Sequence, residues 1–307
     1  MPTSRPPPYK WALPFRKLQM THRPLLLAAL FSTLMLPAEM PALAAGGAGA
    51  QAPALPASKV QMAMTIYAGG ITLGKVDMDA TIRGGDYQVV SNLTTSGVVN
   101  AFWQAEIQAT SSGKLGEDRF QPALYDSFDI GHSGKKQEVS LTYDGAGPPR
   151  LYADPVYSVT GYEVKPEEQK DTLDPLSAVM FIVSGAGAKP GNPCALVAPV
   201  FDGRRRYNIE MKKLRDIDID MDNGLYKGKG LLCAIRYKQL AGFKPRVIKA
   251  NESFPTINAW ITTIHSTVTG RDYVVPLRVW ADTKYGVVAV LANSVKVDGA
   301  APGGIKS

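Results

Sequence analysis

VQMAMTIYAGGITLGKVDMDATIRGGDYQVVS, residues 60–91, decides the fold class. Apolar and polar residues alternate through Val60-Gln61-Met62-Ala63-Met64-Thr65-Ile66-Tyr67 and again through Tyr87-Gln88-Val89-Val90-Ser91, the period of a strand with one buried face. Gly69-Gly70 and Gly84-Gly85 punctuate the run as tight hairpin turns. The same alternation returns in Glu138-Val139-Ser140-Leu141-Thr142-Tyr143 and in Tyr285-Gly286-Val287-Val288-Ala289-Val290-Leu291, with Asp144-Gly145, Asp202-Gly203 and Asn223-Gly224 as further turns. Strands at this spacing, with no βαβ rhythm, predict an antiparallel meander of about a dozen strands, which must curl, close or fold over on itself. The expected fold is mostly β: one large, strongly curled antiparallel sheet, a spiral or half-barrel, over residues 59–298.

One segment breaks the period. Asp174-Pro175 supplies an N-cap and a favoured first helical residue, Leu176, Val179, Met180 and Val183 follow at i, i+3, i+4 and i+7, and Gly185 ends the run. This helix is expected to pack inside the curl as a core-filling plug.

The N-terminus reads as an export signal. Arg23 precedes the apolar run Pro24-Leu25-Leu26-Leu27-Ala28-Ala29-Leu30-Phe31 and Leu34-Met35-Leu36, followed by Pro37 and the small-residue triplet Ala42-Leu43-Ala44. The run is shorter than the ~20 residues of a membrane span. Met20 opens a more usual signal than Met1, and no cysteine follows that could carry a lipid. The expected organisation is a signal peptide at 1–44, a flexible linker at 45–58 rich in Gly, Ala and Pro, the β domain, and a disordered tail at 299–307.

Removing the signal changes the charge. Of 34 basic and 27 acidic residues, five and one fall within residues 1–44, leaving 29 and 26, a net of +3. A basic protein invites a nucleic-acid reading, but most of this excess belongs to the discarded peptide, so no nucleic acid is expected as partner. Cys194 and Cys233 are the only two cysteines. In an oxidising compartment such a pair reads as a disulfide, with two buried free thiols as the alternative.

The run VFDGRRRYNIEM, residues 200–211, asks what three arginines do. A two-residue Asp202-Gly203 turn pairs Phe201 with Arg204 and Val200 with Arg205, which places Arg205 on the apolar face with Tyr207, Ile209 and Met211. There it is either a buried arginine satisfied by a carboxylate or carbonyls, or a cation in a cavity able to hold an anionic head group. A loop at Lys212-Lys213-Leu214 then sets Arg206 opposite Asp220 and Arg204 opposite Asp222. The Asn223-Gly224 turn sets Asp220 opposite Lys227 and Asp218 opposite Lys229, forming a solvated charge ladder. This register turns Leu232 inward rather than Cys233, unless a bulge at Gly228 or Gly230 intervenes. Read as a calcium loop from Asp218, the acidic run puts Asn223 at the sharp-turn glycine and Lys229 at the bidentate glutamate, so no metal is expected.

Catalytic signatures are missing. Gly131-His132-Ser133-Gly134 ends in Lys135 where a nucleophile elbow needs glycine. Gly185-Ala186-Gly187-Ala188-Lys189 lacks the ending of a phosphate loop. His132 and His265, the only histidines beyond the signal, form no zinc spacing with the cysteines. A non-enzyme without cofactor is expected, with a hydrolase using paired carboxylates, or a purely structural β domain, as the alternatives.

Tyr67-Ala68-Gly69-Gly70-Ile71-Thr72-Leu73-Gly74, Asp174-Pro175-Leu176-Ser177-Ala178, Phe201-Asp202-Gly203-Arg204-Arg205-Arg206-Tyr207, Ala241-Gly242-Phe243-Lys244-Pro245 and the cysteine pair together carry a resemblance. The chain resembles the exported Gram-negative proteins grouped as the domain-of-unknown-function family numbered 3108. The resemblance implies a periplasmic protein with no catalytic residues to carry over. By analogy of fold it implies an envelope lipid, lipoprotein or periplasmic protein as partner, in support of envelope integrity.

Overall fold

The computed structural model describes residues 55–96, 105–116, 120–131, 134–145, 147–189, 191–250, 255–284 and 286–303. The segment read as a signal peptide therefore lies outside the described residues, as do His132 and Ser133. The strands are β1 Ala57–Ala68, β2 Ile71–Arg83, β3 Asp86–Thr95, β4 Glu106–Leu115, β5 Phe120–Ile130, β6 Lys136–Thr142, β7 Arg150–Asp154, β8 Leu196–Phe201, β9 Arg206–Asp220, β10 Lys227–Ala241, β11 Ile257–His265, β12 Asp272–Thr283 and β13 Gly286–Val297. They form one antiparallel sheet in the order β7-β6-β5-β4-β3-β2-β1-β13-β12-β11-β10-β9-β8. Each strand pairs with its sequence neighbour, and the first and last strands pair in the middle. The edges β7 and β8 do not pair, so the sheet is not a closed barrel.

Among the described residues two α-helices accompany the sheet, α1 at Pro175–Val183 and the short α2 at Pro245–Ala250, besides a 3-10 turn at Pro166–Gln169. Among the described residues neither is long and apolar enough to cross a membrane. Pro175 occupies the first turn of α1, the Asp174 carboxylate accepts from the Ser177 backbone N–H at 2.8 Å, and Gly185 leaves the helix at φ +69°. Leu176, Met180 and Val183 are buried against residues of both early and late strands, among them Val60, Ile82, Val89, Leu141 and Phe201. Phe181 and Ile182 pack with Cys194, Leu196, Met211 and Cys233. The helix thus fills the curl between the two arms of the sheet. Each of its buried apolar side chains contributes about 1.5–3 kcal/mol on leaving water.

Several register expectations change. Lys212-Lys213-Leu214 is no hairpin loop: β9 runs unbroken through it, with Lys212 opposite Ala234 and Lys213 opposite Cys233. The segment has no glycine, proline or Asx residue to turn the chain, and β10 offers a complete partner. Arg206 and Arg204 therefore never oppose Asp220 and Asp222. The bulge that turns Cys233 inward lies in β9 at Leu214, between the pairs Leu232–Arg215 and Cys233–Lys213, rather than at Gly228 or Gly230. Cys194 and Cys233 are fully buried and paired, with Cα atoms 6.2 Å apart.

The expected ends also shift. Ala57 and Ser58 belong to β1 rather than to a linker, and the buried Ser58 hydroxyl lies 3.2 Å from that of Ser266. Residues 299–303 of the expected tail are ordered by a bridge between Val297 and Ala300 and by burial of Pro302.

Candidate functional site at the sheet seam

The seam is the gap between the unpaired edges β7 and β8. It is closed by the β8–β9 loop and by residues 155–174, which cross from one edge to the other. Asp202 opens the loop and caps it, its carboxylate accepting from the backbone N–H groups of Arg204 at 2.9 Å and Arg205 at 2.6 Å. Gly203 is buried at φ +91°, and a Cβ there would stand 2.9 Å from Val139 Cγ1 and 3.0 Å from Leu151 Cδ1. A glycine thus lets a loop at one edge rest on strands of the other. Beneath it Leu173 bridges Val200 in parallel, donating its N–H to Pro199 and accepting from Phe201.

This geometry corrects the placement of Arg205. The loop has four residues, 202–205, and β8 pairs Phe201 with Arg206 and Val200 with Tyr207. The shift of two keeps Tyr207 and Ile209 on their expected face but leaves Arg205 in the loop, exposed, with no buried ion pair. Its guanidinium stands 5.5 Å from the centroid of the Phe243 ring, and that of Arg204, also exposed, 5.1 Å from Tyr157. Arg206 instead turns back to donate to the carbonyls of Glu168 and Tyr207 and to Asn208 Oδ1, at 3.2, 2.6 and 2.7 Å. Burial pushes the Asp202 carboxyl up, against the pull of the two N–H groups it accepts.

A cavity of about 710 Å³ opens beside the seam, between β4, β5, the β6–β7 loop and residues 169–173, with Phe120, Pro122 and Leu173 as apolar walls; among the described residues Lys114 and Asp171 are its only ionisable groups besides Tyr143. The Tyr143 hydroxyl is buried and has no hydrogen-bond partner among the described residues, and burial raises its pKa. Next to it, beneath α1, a polar cluster is fully enclosed. Asp174 takes hydrogen bonds from the Ser177 hydroxyl and, at 3.1 Å, from that of Ser111, while Tyr87 and Ser111 reach the Ser177 hydroxyl at 2.6 and 2.9 Å. Burial pushes the Asp174 carboxyl up to about 6.

Elsewhere Asp218 pairs with Lys229 at 2.7 Å and Asp220 with Lys227 at 2.6 Å, all exposed, as the sequence register has it. His265 meets Asp272 at 2.8 Å, also exposed. Sequence reasoning missed the packing of Arg278 against both Trp260 and Trp280, 5.2 and 4.9 Å from the ring centroids, with the two rings edge to face. The alternate placement of Arg278 and Trp280 on one strand was its available signal.

No curated protein sequence matches this chain. Among solved structures it is similar to a β-barrel-like protein of domain of unknown function DUF1849 from Brucella abortus, at 10% identity and a TM-score of 0.45, covering 79% of this chain and 98% of that one. A family model matches residues 61–292. The chain belongs to the family described as protein of unknown function DUF3108.

Proposed function

We propose that the protein is a non-enzymatic periplasmic binding protein, exported by its N-terminal segment, that holds an envelope lipid or the acyl chain of a lipoprotein at the seam, in support of envelope integrity. One observation carries this reading: the cavity of about 710 Å³ walled by Phe120, Pro122, Leu173 and Tyr143. The volume suits a small ligand or an acyl segment. The ring of Tyr143 offers such a ligand an apolar wall, and Lys114 supplies a cation for an anionic head. The signal-like N-terminus and the paired cysteines, a linkage that persists in oxidising compartments, support export.

The hydrolase alternative finds less support. Carboxylate chemistry needs two acids facing one substrate, but among the described residues Asp171 is the single carboxylate lining the cavity, and Asp174 is sealed beneath α1. The test uses cis-parinaric acid, a fluorescent acyl chain, with the exported protein. Wild type should bind it, and Ala123→Trp, which puts an indole into the cavity mouth, should lose binding at unchanged Tm. Equal binding by both proteins, or none by wild type, would overturn the reading.

A further inference from the structure

The outer side of the seam carries a second surface, distinct from the cavity. Arg204 and Arg205 are exposed and held over Tyr157 and Phe243. Gly242, at φ +78°, lets the end of β10 press on the loop: a Cβ there would stand 2.2 Å from the Arg204 carbonyl oxygen. Lys244, Arg246 and Lys249 follow directly, all exposed. On the other flank Val156 and Val159, the neighbours of Tyr157, are 85% and 89% exposed, the most exposed large apolar side chains of the described residues. Asp202 caps the loop, Glu163 accepts from Thr160 and Gly161, and Glu168 accepts from the Lys165 N–H. Among the described residues neither Arg204 nor Arg205 forms an ion pair.

We propose that this surface docks the protein on an anionic phospholipid bilayer. The proposal deepens the binding role above by naming the membrane as partner, but it rests on different residues. An apolar tip rimmed by cations is the arrangement that enters a membrane interface, valines into the acyl boundary and cations at the phosphates. Stacking on an aromatic ring leaves a guanidinium charged, with its donors free, while restricting its rotamers, so little order is lost on meeting a phosphate. A nucleic acid would satisfy the arginines and leave the valines in water. The bilayer uses both.

The test is co-sedimentation of the exported protein with vesicles of phosphatidylcholine mixed with phosphatidylglycerol, and with phosphatidylcholine alone. Wild type should partition to the mixed vesicles only, and less so as salt rises. Arg204→Ser with Arg205→Ser should lower partitioning about tenfold, and Val156→Ser with Val159→Ser several-fold, both at unchanged Tm. Ala123→Trp should dock like wild type, so failure of acyl binding and failure of docking are separable. Equal partitioning to both vesicle types, or to neither, would overturn the proposal. So would docking that the paired valine substitutions leave unchanged, since that marks a general polyanion surface.

Discussion

The β8–β9 and β9–β10 loops invite comparison, because each has one Asx-Gly pair, yet they do opposite things. In the first, residues 202–205, the pair stands at the start. Asp202 caps the two following N–H groups, and Gly203 is pressed onto β6 and β7. In the second, residues 221–226, the pair stands in the middle, closed by the Met221 N–H to the Tyr226 carbonyl. Asn223 accepts from the Leu225 N–H at 3.1 Å and donates to the Ala292 carbonyl at 2.8 Å, while Gly224 stands in open space. The place of the pair within its loop turns a solvent-facing turn into a latch. It also leaves Arg204 and Arg205 outside the strands, projecting outward.

The sharpest way to break this comparison is to add a methyl group to each glycine. Gly203→Ala meets both a positive φ and the Val139 and Leu151 methyls, and should cost about 2–4 kcal/mol. Gly224→Ala meets only the φ penalty and should cost about 1 kcal/mol. Urea denaturation of the two variants measures the difference, and equal losses would mean the latch carries no packing.

The two loops also rest on different electrostatics, since the first lies over a core holding Asp174 and the second is flanked by exposed pairs. A carboxyl raised from 3.8 to about 6 in the folded state binds its proton more tightly there than in the unfolded chain. Its stabilising contribution is therefore full below pH ~4 and is lost as pH rises through ~6. Asp174→Asn keeps the cap acceptor without titrating. The stability of wild type relative to this variant should fall between pH 4 and 6, by roughly 3 kcal/mol at most. A pH-independent difference would place the titration elsewhere.

The smallest effect belongs to the second loop. Asp220→Ala removes an exposed ion pair and should change stability by less than about 1 kcal/mol. A loss of several kcal/mol would mean that the ladder is buried against something else.

The fold was legible where its signals are local. The alternation of β1, the glycine turns after it and the cap, apolar stripe and terminating glycine of α1 each lie within a few residues of what they determine. The register across Asn223-Gly224 was legible too, because a loop centred on its Asx-Gly pair places the same residues opposite whether it has two residues or six. The site was not. Arg205 alternates correctly with Tyr207 and Ile209, but alternation holds only inside a strand, and Asp202 keeps Arg205 outside one. Tyr143 reads in sequence as the last residue of an ordinary strand, with nothing to mark its hydroxyl as unpartnered.

By itself the sequence determined the antiparallel meander, the buried helix and the pairing of the acidic run with Lys227 and Lys229, since those follow from periodicity and turn chemistry between neighbours. Only the tertiary structure decided that the two edges of the sheet meet. The contact that does this joins Gly203 to Val139 and Leu151, more than fifty positions away along the chain. Curvature accumulated over thirteen strands brings them together, and no local pattern encodes such a sum. The seam, its cavity and the outward arginines all follow from that one closure.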